Sequence, residues 1–104
     1  MITREFDSYI IYHEQEEGNP RLVVVNCFDG TQLIGAIKFY KGKVPHPEIL
    51  SDKTIILNFP ADRIQEILTT LRYEKPLFLS FKQGKAMLGT IKEPVGEQET
   101  EIAK

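Results

Sequence analysis

The sequence predicts a mainly β domain of the α+β class, in which about six strands form a small antiparallel sheet or a half-open barrel. Three observations support this prediction. Short apolar, β-branched runs recur along the chain, Asp29-Gly30 separates two of them, and one amphipathic helix is expected at about 60–72. The predicted order of elements is therefore β-β-β-β-α-β-β.

The first three predicted strands occupy residues 6–13, 21–28 and 31–40. The first contains the contiguous apolar residues 9–12, which favours a strand covered on both faces or an aromatic pair at the surface. The second is β-branched and apolar, as expected in the interior of a sheet. Asp29-Gly30 supplies the positive φ angles of a tight hairpin turn before the third.

Side-chain alternation divides the third strand into two faces. We expect one face to contain Leu33, Gly35, Ile37 and Phe39, and the other face to contain the residues between them. Glycine weakens the interior of a strand and often marks a bend or a bulge. Gly35 therefore indicates a point where the sheet curls.

Residues 41–52 form a long connection with two prolines, and connections of this length are often functional. We expect Ile49 and Leu50 to attach its far end to the domain, because exposing both would forfeit about 1.5–3 kcal/mol each. The half at 41–46 is expected to stay mobile. This connection is the predicted lid or contact loop, and a fourth strand at 53–59 follows it.

The helix at about 60–72 is the best-defined element in the sequence. Pro60 suits a first helical turn, and Asn58 has the chemistry of a capping residue. The apolar residues that follow the i, i+3, i+4, i+7 pattern of one buried face are Ile64, Ile67, Leu68 and Leu71. Two strands, at 77–81 and 86–92, complete the domain around a glycine-containing turn at 82–85.

This order of elements is similar to that of small Greek-key barrels such as the oligonucleotide-binding fold, although the strand at 53–59 departs from it. A half-open barrel and a helix-capped sandwich fit equally well. We expect residues 1–92 to form one domain and residues 93–104 to form a disordered acidic tail. Net charge is −4 over residues 1–37, +5 over 38–92 and −3 over 93–104.

The motifs of known enzyme classes are missing from the sequence, so a non-enzymatic protein is expected. Cys27 is a single cysteine, and its apolar neighbours predict a buried thiol. His13 and His46 lack the further ligands that a metal site needs. The serines lie outside any nucleophile turn, and both glycine-rich phosphate-binding patterns are missing. We therefore expect no catalytic residues, metal or cofactor.

The feature closest to a functional signal is a group of basic residues interleaved with aromatic residues. This candidate interaction surface consists of Lys38, Tyr40, Lys41, Lys43, Tyr73, Lys82 and Lys85. The simpler interpretation is that these lysines only solubilise turns, and the sequence pI of about 5.7 favours it over a nucleic-acid-binding role.

Two functions follow as hypotheses. The first is a protein-interaction module, acting as a homodimer or as an accessory subunit, because the exposed-looking aromatics Tyr9, Tyr12 and Tyr40 need covering. The alternative is a single-stranded nucleic-acid-binding module that uses the lysine and aromatic residues. The start of the chain lacks a signal-peptide pattern, and no apolar run spans a membrane, so a cytoplasmic location is expected.

Overall fold

The structure is a computed structural model that describes residues 1–90 and contains two packed sheets. The three-stranded sheet has the order β1 (Ile2–Phe6), β7 (Leu77–Lys82), β8 (Lys85–Thr90). The five-stranded sheet has the order β2 (Ser8–His13), β3 (Arg21–Asp29), β4 (Gln32–Tyr40), β6 (Ile55–Pro60), β5 (Glu48–Ile49). A 3₁₀ turn (Ala61–Arg63) leads into the helix α1 (Ile64–Tyr73).

This architecture confirms a mainly β fold of the α+β class with one helix. Over residues 1–90 the two sheets do not close into a barrel, and there are eight strands rather than about six. The expectations for the end of the last strand, at 91–92, and for a disordered acidic tail at 93–104 concern residues outside the described range.

The chain passes from one sheet to the other at Asp7, so the prediction of a single first strand at 6–13 is wrong. Phe6 ends β1 and pairs with Leu77, whereas Ser8 begins β2 and pairs with Phe28. Asp7 stabilises the crossing because its backbone N–H donates to Phe28 O at 2.9 Å. Its carboxylate accepts a hydrogen bond from the Gly30 N–H at 3.2 Å.

A β-bulge in β4 reverses the predicted orientation of two residues. Cys27 pairs with Gly35 and Phe28 pairs with Leu33, so Ile34 is the extra residue on its strand. Ile34 is fully buried, whereas Leu33 is 42% exposed, opposite to the prediction for Leu33. The hairpin turn at Gly30 is confirmed, with a φ of 61°.

Gly35 leaves no room for a side chain between its neighbouring strand and the other sheet. A Cβ atom at this position would lie 2.6 Å from the carbonyl oxygen of Ile55, and closer still to Cδ1 of Leu79. Ile55 lies on the neighbouring strand β6, and Leu79 belongs to the other sheet. The predicted bulge therefore lies beside Gly35, at Ile34, and the close contact leaves no room for a side chain at position 35.

One strand pair departs from the predicted antiparallel arrangement: β4 and β6 are parallel. Parallel neighbours need a crossover connection, and residues 41–54 supply it. The short strand β5 within this connection pairs with Ile55 and Ile56. Ile49 packs against the core as expected, whereas Leu50 is 43% exposed and the expectation that it attaches the loop is wrong.

Asn58 fixes the connection rather than capping the helix. Its side-chain Nδ2 donates to His46 O at 2.9 Å, so the half of the loop expected to be mobile has one attachment to β6. Pro60 caps the 3₁₀ turn from an extended conformation, and the α-helix begins only at Ile64. The helix therefore starts later than the sequence indicates, because β6 continues to Pro60.

The core lies between the two sheets and the helix. The predicted helix face is confirmed, since Ile67, Leu68 and Leu71 are buried and Ile64 packs against them. From the larger sheet, the fully buried core residues are Val25, Cys27, Ile34, Ile37, Phe39, Ile55 and Leu57. Leu79 is the corresponding fully buried residue of the smaller sheet.

Candidate interaction surface

The seven residues of the candidate interaction surface lie in three parts of the fold. Lys38 and Tyr40 are in β4, and Lys41 and Lys43 follow it in the connection. Tyr73 is the last residue of the helix and is largely exposed. Lys82 and Lys85 flank the turn between β7 and β8, on the smaller sheet. The described contacts join Lys38 and Tyr40 to a common neighbour, Arg21.

Arg21 and Glu14 form the best-defined polar contact in this region. The guanidinium of Arg21 donates from Nε to one oxygen of Glu14 and from Nη2 to the other, the second at 2.8 Å. The hydrogen bonds with Arg21 hold the pKa of the Glu14 carboxyl below its ordinary value, and the charge of Lys38 acts in the same direction. The same contact raises the pKa of Arg21.

The turn at 14–20 holds this ion pair in place. Asn19 Oδ1 accepts a hydrogen bond from the Arg21 N–H at 3.0 Å, and Glu14 N–H donates to Leu22 O at 2.8 Å. Lys41 N–H donates to Pro20 O at 2.8 Å, which ties the turn to the end of β4. Sequence analysis missed the pair because its two residues are at opposite ends of this turn.

Two open depressions meet at Arg21. One, of about 480 Å³, contains Tyr12, His13 and Lys38, and the other, of about 510 Å³, contains Tyr40, Glu16 and Glu17. Aromatic rings and cations therefore share this surface. Carboxylates share it as well, and Glu14 offsets the charge of Arg21. The surface can form hydrogen bonds and stacking contacts, but its charge is mixed.

A deeper cleft of about 520 Å³ separates the start of β2 from the end of the helix. It contains acidic and basic side chains, including Glu5, Asp7, Arg72 and Lys75. Ser8 Oγ donates to Asp7 Oδ1 at 3.2 Å, and neither histidine lines the cleft. The cleft therefore places a serine hydroxyl against a carboxylate, without a histidine between them.

Residues 1–90 contain no group of three or more His, Cys, Asp or Glu side chains arranged to hold a metal ion. Cys27 is fully buried, which confirms the predicted burial, and desolvation raises the pKa of its thiol to about 12. A thiol with this pKa is not a nucleophile at neutral pH, because the thiolate is the reactive form.

The outer face of the five-stranded sheet exposes apolar side chains near β2. Ile10 is 46% exposed and Tyr12 is 48% exposed, and Leu33 lies on β4 with a similar exposure. Of the three tyrosines predicted to be exposed, Tyr12 is exposed, whereas Tyr9 and Tyr40 are half-buried. Sequence analysis missed Ile10, because a contiguous apolar run does not reveal which of its residues face the core.

Over residues 1–90 the two sheets have four edge strands, which differ in how they are protected. The strand β1 contains Arg4 and Glu5, β5 has only two residues, and β8 begins with Lys85 and contains Gly89. Short length, charge and glycine all oppose the addition of another strand. The strand β2 contains no Lys, Arg, Asp, Glu or Pro. It is therefore the least protected edge over the described part of the chain.

Comparison with protein-family models, with curated protein sequences and with solved structures gave no significant match. Among residues 1–90, none of the helices has the length and apolar character needed to cross a membrane. The function must therefore be argued from the surfaces described above.

Proposed function

We propose that this chain is a small, non-enzymatic, cytoplasmic protein-interaction module that makes its contacts through β2. The observation that carries this proposal is the unprotected edge of β2 together with the exposed side chains of Ile10 and Tyr12. An open edge offers backbone N–H and C=O groups to another strand, and adjacent apolar side chains add favourable burial.

A contact through β2 uses chemistry that the other surfaces lack. The depressions at Arg21 combine positive and negative side chains and stay open to solvent, which suits neither a buried ligand nor a reaction. The cleft beside Asp7 is not lined by either histidine. The edge of β2, in contrast, needs only an extended backbone as its ligand.

Site-specific photo-cross-linking in living cells tests this proposal. A photoreactive phenylalanine analogue replaces Tyr12, and the same analogue at Gln65, on the exposed face of the helix, is the control. We expect ultraviolet light to link the Tyr12 derivative, but not the Gln65 derivative, to another polypeptide chain. Equal labelling at both positions, or none at either, would contradict a protein contact through β2.

Single-stranded nucleic acid is the second candidate ligand, favoured by the grouping of Lys38, Tyr40 and Arg21 beside the exposed ring of Tyr12. The carboxylates of Glu14, Glu16 and Glu17 on the same surface oppose it. Fluorescence anisotropy of a labelled oligonucleotide at low salt tests this candidate. Binding that weakens on charge reversal at Lys38, and not at Lys82 and Lys85 on the smaller sheet, would support it, and no binding at low salt would end it.

A further inference from the structure

We infer that the ligand of the β2 edge is a second copy of this chain, whose own β2 pairs with it in the antiparallel direction. This inference rests on the proposed function and names the partner. The pairing joins two five-stranded sheets, each ordered β2-β3-β4-β6-β5, into one continuous sheet. The symmetry is a twofold axis through the centre of the two β2 strands.

The edge of β2 offers a defined set of backbone groups. In an antiparallel pair, the residues that bond to the neighbouring strand alternate with residues that do not. Glu14 N–H bonds to Leu22 O, so Tyr12 and Ile10, which lie two and four residues earlier, also face β3. The N–H and C=O groups of the residues between them point away from β3, and these residues are Tyr9, Ile11 and His13.

The symmetry restricts the register. A twofold axis between antiparallel edge strands is perpendicular to the sheet, so the core face of each copy stays on the same side. Residues that pair must therefore point to the same face in both copies. Only two registers near the centre of β2 satisfy this condition: Ile11 opposite Ile11 of the second copy, or Ile10 opposite Ile10.

The register centred on Ile11 fits the side chains better. It pairs Tyr9 with the partner's His13, so each outward-pointing residue of β2 exchanges both backbone hydrogen bonds. On the outer face it pairs Ile10 with the partner's Tyr12, which covers the two exposed apolar side chains of the strand with each other. The register centred on Ile10 leaves Tyr12 opposite the hydroxyl of Ser8.

The charges around this register are compatible with pairing. Glu14 lies opposite the partner's Ser8, so no like charges face one another across the two strands. In contrast, the edge of β1 contains Arg4, whose Nη1 donates inward to Lys53 O at 3.3 Å, and the exposed Glu5. A second copy added there would have to accommodate both side chains, which makes β2 the preferred edge.

Disulfide cross-linking between two variants tests the register. We would mix Ile10→Cys protein with Tyr12→Cys protein and oxidise the mixture with oxidised glutathione, which accepts the two electrons released as two thiols form the disulfide. In the proposed register these positions form a non-hydrogen-bonded pair with Cα atoms about 4.5 Å apart, a separation that a disulfide can span. The buried Cys27 does not compete for the oxidant.

Random pairing in the mixture produces some dimers with one chain of each variant, and we expect these mixed dimers to become disulfide-linked. The mixture should therefore yield several-fold more linked dimer than either variant alone. Efficient linking of the Ile10→Cys variant to itself would assign the register centred on Ile10 and overturn the proposed one. If neither variant nor the mixture is linked above the level of free exposed thiols, the inference is wrong.

A second pair of variants tests the edge without cysteine. His13→Pro removes an N–H that points away from β3, whereas His13→Ala keeps it, and proline is tolerated on an edge strand facing solvent. We expect light scattering to give twice the chain mass for the wild-type protein and for His13→Ala across micromolar concentrations. His13→Pro should have the mass of one chain, with an unchanged circular dichroism spectrum.

The outcomes separate this inference from the proposed function. A monomeric wild-type protein whose Tyr12 photo-cross-linker labels a chain of different mass would overturn the second copy as partner and leave the protein contact in place. If the wild-type protein is a dimer and the His13→Pro variant is a dimer as well, the two chains pair through a surface other than the edge of β2. A monomer that forms no photo-cross-link at Tyr12 would contradict both proposals.

Discussion

Replacing Gly35 with alanine tests the close contact between the two sheets. The added Cβ would lie 2.6 Å from Ile55 O, which is backbone and cannot rotate away. It would also overlap Cδ1 of Leu79, a fully buried side chain. Overpacking of a core costs about 1–3 kcal/mol, and a backbone clash places this substitution near the upper end.

We therefore expect Gly35→Ala to lower the free energy of unfolding by about 3 kcal/mol. For a domain near this size, each kcal/mol corresponds to about 4–8 °C in melting temperature, so the loss is about 12 °C or more. Urea unfolding followed by circular dichroism gives the free energy directly, and an unchanged urea dependence would show that the unfolded state is the same.

The chain provides a matched control for this experiment. Gly89 also lies in a strand, but apart from its chain neighbours no atom of residues 1–90 would lie within 4 Å of a Cβ atom there. Gly89→Ala should be neutral or stabilising by up to about 1 kcal/mol, because alanine loses less conformational entropy than glycine in a strand. If both variants unfold at the same urea concentration, the sheets do not approach each other as closely as described.

Three further predictions concern the core, the ion pair and the thiol. Leu68→Ala should lower the free energy of unfolding by about 2–5 kcal/mol in a urea titration, whereas Gln65→Ala on the exposed face should change it by less than about 0.5 kcal/mol. Glu14→Gln should cost about 0.5–1 kcal/mol at pH 7. Because the folded-state pKa of Glu14 is lowered, the wild-type advantage is complete above the ordinary value of 4.5. This advantage disappears as pH falls through the folded-state pKa of Glu14. An advantage of the wild-type protein that persists at about pH 2 would show that packing, and not the ion pair, is its source. Cys27 should react with iodoacetamide only after unfolding in urea, and rapid labelling of the native protein would contradict its burial.

Local chemistry accounts for the parts of the fold that the sequence predicted. The turn at Gly30 follows from a positive φ angle within a short hairpin, and the helix follows from its apolar periodicity. Several errors arise from contacts between residues that are distant in sequence. The break at Asp7 depends on contacts with Phe28 and Gly30, more than twenty residues away in sequence. The bulge at Ile34 likewise depends on how β4 pairs with β3, and the alternation of side chains along a single strand cannot reveal that pairing.

The candidate surface was predictable to a similar extent. Residue type indicated Lys38 and Tyr40, and the structure gives them a common neighbour in Arg21. The acidic partner Glu14 was not predicted, because the pair forms only when the turn at 14–20 brings its two ends together. The exposure of Ile10 and the edge position of β2 depend on strand order, and a single sequence does not contain that order in any local pattern.

The pairing of β1 with β7 has a consequence during synthesis of the chain. Ile2 and Phe6 leave the ribosome before their partners Phe81 and Leu77, which are translated more than seventy residues later. The hairpin of β3 and β4 can form while translation continues, whereas the smaller sheet cannot exist until β7 has emerged. Until then the nascent chain carries apolar N-terminal side chains without their partners, and these are natural targets for ribosome-associated chaperones.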